Sequence, residues 1–220
     1  MKLCVLAISL VSLIGSSTVF ARPIEPYNAN NAVSYARTWA YSRNTSYPVL
    51  DANSSQGGDC TNFVSQALRA GGWRNTATTS TTSDLLWWFT NKTTTGYSQS
   101  WSTAHGFFRH MNGGVNPPGT GTSYEGWTKW DGATSLNYGD VVSADWTGDN
   151  AIDHTMIVTG FRRMANGLVE PRFTYHSNDR KDFPLSDLMA ALRQSGYNNA
   201  KVYRFGIQNF CSNPLPSQIF

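Results

Sequence analysis

The spacing of apolar residues changes partway along the chain, and that change limits the folds open to it more than any single motif does. Through Met111 the apolar residues recur every three or four positions, whereas from Tyr138 onward they form short β-branched runs bounded by turn residues. Ala32, Val33, Ala36, Trp39 and Ala40 predict a helix over 30–43, with Asn30 or Asn31 as its cap. Phe63, Val64, Ala67, Leu68 and Ala70 share one face of a second helix that Gly71-Gly72 ends. Ser83 is placed to cap a short helix through Leu85, Leu86, Trp88 and Phe89, and Ser102 or Thr103 another through Phe107, Phe108 and Met111. The second half predicts strands at 140–142, 155–161, 168–176 and 201–207, a turn at Asn166-Gly167, and a helix from a Ser186 cap to Gln194. Helices followed by an antiparallel sheet make the fold class α+β.

A length of 220 residues suits one domain that folds without disulfide staples. Charged residues are only 14% and aromatic residues 13%, which excludes a charged disordered polymer and a coiled coil. Seventeen Lys and Arg against fourteen Asp and Glu leave a net charge of +3, too little for the basic footprint of a nucleic-acid binder. The first 21 residues read as a leader: Lys2, an apolar run from Leu3 to Ile14, then Val19-Phe20-Ala21 at the cleavage position. The apolar run is short for a membrane span, and Cys4 lies before it, badly placed for lipid attachment. The expectation is a mature protein of residues 22–220, secreted or periplasmic, with no stable membrane anchor after processing.

Processing removes Cys4 and leaves Cys60 and Cys211. Cys60 falls in the first turn of the second helix, where unpaired amide groups and the helix dipole favour a thiolate. Asp59 beside it is expected to cap that helix with its carboxylate turned away from the sulfur. The alternative is a Cys60-Cys211 disulfide closing a loop of about 150 residues, which stabilises by up to ~5 kcal/mol. That alternative describes a non-enzymatic secreted module that holds glycan or protein with its loop tryptophans. A base separates the readings. His154 opens a buried strand, and the returning strand carries Tyr175-His176-Ser177-Asn178 with His176 and Asn178 on one face. A turn centred near Ala165 sets His176 opposite His154, while a tight Asn-Gly turn moves the partner toward Asp179. A cysteine, a histidine and a polar orienting group then become possible as a triad.

Gly57-Gly58-Asp59-Cys60-Thr61-Asn62-Phe63-Val64-Ser65-Gln66 resembles the nucleophile motif of the putative amidase domain family, a branch of the papain-like cysteine peptidases related to the NlpC-type cell-wall endopeptidases. Gly139-Asp140-Val141-Val142, Asp153-His154-Thr155-Met156-Ile157-Val158-Thr159-Gly160, Tyr175-His176-Ser177-Asn178-Asp179 and Pro184-Leu185-Ser186 resemble its later motifs in order. The resemblance extends from Tyr27 to Phe205. It implies a papain-like sheet with the nucleophile helix packed on it, and hydrolysis of an amide bond through a thioester. The implied roles are Cys60 as nucleophile, His154 as general base and then acid, and His176 as the orienting residue, with Asn178 in reserve. The Cys60 backbone amide would serve the oxyanion hole, with Gln56 as the side-chain candidate. With a leader in place, the implied substrate is a peptide or peptidoglycan stem.

Trp127, Trp130 and Trp146 lie in loops near the expected site and are candidates for a substrate groove. Asp145, Asp149, Asn150 and Asp153 do not have EF-hand spacing and read as solvated loop residues. His105 and His110 lack partners at ligand spacing, so no metal or cofactor is expected.

Overall fold

The computed structural model describes residues 27–50, 58–76, 80–113, 124–125 and 136–207. The leader, Gln56, Trp127, Trp130 and Cys211 lie outside these residues. Helix α1 (Ala29–Trp39) is capped by Asn28, whose side chain accepts the Asn31 amide at 3.1 Å. The cap thus falls earlier than Asn30 or Asn31, because the helix already includes both. Helix α2 (Asp59–Ala70) packs against α1 and is buried along almost its whole length, from Asp59 to Leu68. Thr103 caps α4 (Ala104–Met111), as its spacing predicts, and a single turn, α3 (Gln99–Ser102), precedes it.

The helix expected after Ser83 does not form. Trp87, Trp88 and Phe89 are all buried, but their backbone amides are not engaged in a helical ladder. Their amides instead donate to the side chains of Thr76, Ser98 and Asn75. Ser83 keeps only a turn, its carbonyl accepting the Leu86 amide.

The second half forms β2 (Val141–Asp145), β3 (His154–Arg163), β4 (Val169–Tyr175), β5 (Arg180–Pro184), α5 (Leu185–Gln194) and β6 (Lys201–Phe205). With β1 (Tyr124–Glu125), the strands make one antiparallel sheet in the order β1-β6-β2-β3-β4-β5. Strand alternation divides the core between two faces. Val141, Ile157, Tyr203 and Phe205 pack with α1 and α2, while Val142, Met156, Val158, Phe173 and Tyr175 pack with Leu185 and Leu188 of α5. Pro184, not Ser186, is the N-cap of α5. The Ser186 amide is satisfied across space by the Glu170 carboxylate of β4, at 2.8 Å. No helix among the described residues is long and apolar enough to cross a membrane.

Register decides which histidine meets which helix. The β3–β4 hairpin turns around Asn166, with Gly167 at φ +85°, and pairs Arg163 with Val169. An irregularity between Val158 and Gly160 then resets the ladder to Ile157 opposite Thr174. Extended two residues, that register sets His176 opposite Thr155, so it differs from the expected pairing with His154. His154 therefore shares a face with Met156, toward α5, while His176 joins Thr155 and Ile157 on the α2 side.

Candidate active site

The N-terminus of α2 is set down on the ends of β3 and β4. Gly58 is its N-cap and supplies no side-chain hydrogen bond. A Cβ there would stand 3.1 Å from the Ser177 hydroxyl and 4.0 Å from the Cys60 sulfur, so glycine lets the β4–β5 turn close over the start of the helix. Cys60 is a buried free thiol, 3% exposed. Burial pushes its pKa up, against hydrogen bonding from the Thr61 side chain and the backbones of Thr155 and Thr61. Its sulfur lies 3.7 Å from the Thr61 hydroxyl, which is 2.9 Å from that of Thr155.

Asp59 is the first helical residue and not the cap. Its carboxylate is 1% exposed and is held as the centre of an ionic cluster. Arg43 Nε stands 2.9 Å from Oδ2, His176 Nδ1–H donates to the same oxygen at 2.6 Å, and Asn62 donates to Oδ1 at 2.6 Å. Arg43 also grips Asp179 with two bonds, of 2.9 and 3.0 Å. His176 donates its other ring hydrogen to the Trp39 carbonyl at 2.8 Å and stacks on Phe63 at 3.9 Å. Both partners of the ring are acceptors, so it carries hydrogen on both nitrogens, and the cation is what matches the Asp59 carboxylate.

His154 is buried on the other side of the sheet, between Trp146 at 5.5 Å and Tyr175 at 4.9 Å. Among the described residues its buried Nε2 has no hydrogen-bond partner, and desolvation lowers its pKa to about 4. The structure therefore brings Cys60 to Thr155, the sequence neighbour of His154, and joins His176 to Asp59. It shows no hydrogen bond from His154 to either Cys60 or His176. Asn178 is exposed in the turn after β4, with φ +80°. Of the groove tryptophans, Trp146 does lie beside His154; Trp127, Trp130 and the oxyanion candidate Gln56 fall outside the described residues.

The acidic loop is organised from within. Asp145 is buried, not solvated, and accepts the amides of Gly148 and Asn150. The Lys201 ammonium takes the oxygens of Gly148 and Asn150. Among the described residues no group of three acidic, histidine or cysteine side chains could hold a metal ion. His105 accepts the Ile152 amide and ties this loop to α4. An open groove of about 530 Å³ beside α1 is lined by Arg37, Tyr138 and Lys181 among others, and by none of Cys60, His154 and His176.

A buried thiol in the first turn of a helix, packed on an antiparallel sheet in an α+β frame, is an arrangement suited to acyl transfer. The chain belongs to the putative amidase domain family, whose profile matches residues 26–203. That description is of an amide hydrolase. Among curated proteins the chain is 30% identical over 157 residues to the uncharacterized protein YhbB of Bacillus subtilis (strain 168), covering 70% of this chain and 43% of that protein. It is 28% identical over 176 residues to the uncharacterized protein YjcM of the same organism, covering 76% of this chain and 35% of the relative. The chain thus spans less than half the length of either. No solved structure matches it.

Proposed function

We propose that the protein is a secreted or periplasmic cysteine amidase of papain-like type that hydrolyses an amide bond in peptidoglycan stem peptides. The observation that carries this reading is the free Cys60 thiol at the start of α2, in a chain of an amidase family. His154 takes the thiol proton as sulfur attacks the carbonyl carbon, and the Cys60 backbone amide receives the developing oxyanion. The imidazolium then returns that proton to the leaving amine, and water hydrolyses the thioester. In its buried place the ring is neutral at pH 7, its pKa lowered to about 4 by desolvation, and it gains basicity on leaving that burial to reach the sulfur.

The transfer requires His154 to come within reach of the sulfur from its place between Trp146 and Tyr175. It is the first residue of β3, paired with Ala144 on one side, while the β3–β4 ladder begins only at Ile157. Such a strand end is the part of a sheet that opens at least cost. His176 acts in this reading by fixing Asp59, one residue before the nucleophile. The leader-like first 21 residues and the aromatic Trp146 beside His154 support an extracytoplasmic, peptide-bearing substrate.

The test is mass spectrometry of purified cell walls and a panel of peptide amides after incubation with wild type, Cys60→Ala and His154→Ala. New amine and carboxylate ends are expected with wild type only, from protein whose intact mass lacks residues 1–21. Products that persist with Cys60→Ala would reject the nucleophile, whatever the substrate.

A further inference from the structure

The direction of the hydroxyl groups beside the sulfur follows from counting hydrogens and acceptors. Thr61 on α2 and Thr155 on β3 are both fully buried. Their oxygens lie 2.9 Å apart, and the Thr61 oxygen lies 3.7 Å from Cys60 Sγ. Among the described residues neither hydroxyl has any further hydrogen-bond partner. Each carries one hydrogen, and a buried hydroxyl hydrogen without an acceptor is costly. If the thiol donated to Thr61 and Thr61 to Thr155, the Thr155 hydrogen would have no acceptor. If Thr155 donates to Thr61 and Thr61 donates to sulfur, both hydroxyl hydrogens are used and the one left over is the S–H, the weakest donor of the three.

We infer that Thr61 and Thr155 form a two-hydroxyl donor chain ending on the Cys60 sulfur, and that they are positioning residues whose task is to hold the sulfur's negative charge. Loss of the S–H proton leaves the chain as it stands: no hydroxyl has to reverse, and the bond to sulfur becomes charge-assisted. Donation by Thr155 polarises the Thr61 hydroxyl, so the distal residue strengthens the bond made by the proximal one. The backbone amide of Thr155 also favours the thiolate, which makes this strand residue a donor twice over. These contributions counter the desolvation and the neighbouring Asp59 carboxylate, both of which disfavour charge on sulfur. As Thr155 directly follows His154, one strand end presents both the proposed base and the far end of the donor chain.

The inference rests on the reading of Cys60 as a nucleophile, yet its test needs no substrate. Thiolate absorbance in the ultraviolet is titrated against pH for wild type, Thr61→Val, Thr61→Ser and Thr155→Val, each corrected by the same protein carrying Cys60→Ala. Thr61→Val is expected to raise the Cys60 midpoint by about one unit, a roughly tenfold weaker ionisation. Thr155→Val raises it by less, and Thr61→Ser restores the wild-type midpoint. If Thr61→Val does not fold, Thr155→Val and Thr61→Ser decide. Folded valine variants that titrate like wild type, or a serine variant displaced as far as the valine one, overturn the donor chain. A normal shift together with amide hydrolysis that survives Cys60→Ala would instead overturn the proposed function and leave the donor chain standing.

Discussion

At the scale of single residues, Asp59 has the largest consequences for its size. A carboxylate that is 1% exposed is tolerable only because Arg43 and His176 neutralise it and Asn62 completes its hydrogen bonds. Asp59→Asn removes the negative charge and leaves a buried imidazolium beside a guanidinium that Asp179 still pairs. It should cost about 3 kcal/mol or more of stability, read from urea unfolding. His176→Gln alone should cost comparably, and the pair less than the sum, because both act on one ionic cluster. Strict additivity would show that the cluster is not a unit. Sequence reading singled out Asp59, Cys60, His154 and His176 but did not join Asp59 to His176. The partners of Asp59 lie at residues 43 and 176, and no local spacing reports contacts at such separations. The single-residue reset between Val158 and Gly160, which turned His176 toward α2, likewise leaves no mark in the pattern of apolar residues.

At the scale of elements, those with an apolar face were legible and those held by side-chain hydrogen bonds were not. Helix α2 announced itself through Phe63, Val64, Ala67 and Leu68, all fully buried. Strand β5 did not, because Arg180-Lys181-Asp182-Phe183-Pro184 is an edge strand with charged residues, a proline and Asp182 at φ +49°. The start of α5 illustrates how an element can be completed by a residue remote in sequence. Glu170, 3% exposed, accepts the Ser186 amide at 2.8 Å and Arg162 Nε at 2.6 Å, so it fills the role that sequence reading gave to Ser186. Glu170→Ala should therefore destabilise by about 2 kcal/mol, through a lost helix cap and the loss of the carboxylate nearest Arg162. Ser186→Ala removes only a hydroxyl and should cost less than about 1 kcal/mol. Chemical denaturation of the two variants separates these cases, and the reverse order of stabilities would mean that the serine caps the helix after all.

At the scale of the molecule, buried neutral histidines make the fold depend on pH. His154 and His110 each have a pKa lowered from 6.5 to about 4 by burial, offset in part at His110 by hydrogen bonds to the backbone of Asp84 and Leu85. The unfolded chain binds these protons near pH 6.5, whereas the folded chain resists them until about 4. Protons therefore favour unfolding across that window, and stability falls as pH falls. Each histidine contributes a loss of roughly 3 kcal/mol once the pH has passed below both values. Together that is a large part of the 5–15 kcal/mol typical of a domain, so acid sensitivity well above the carboxylate range is expected. Asp140 and Asp153 oppose part of the loss, because burial raises their pKa and the folded state takes up their protons first. The wild-type urea midpoint should decline steadily from pH 7 to below 5, and His110→Gln with His154→Gln should flatten that decline. His110 donates to the Asp84 carbonyl while His154 Nε2 has no hydrogen-bond partner among the described residues, so His154→Gln should be the less damaging at pH 7. A wild-type midpoint unchanged between pH 7 and 5 would mean that both rings reach solvent and take up protons as they do in the unfolded chain.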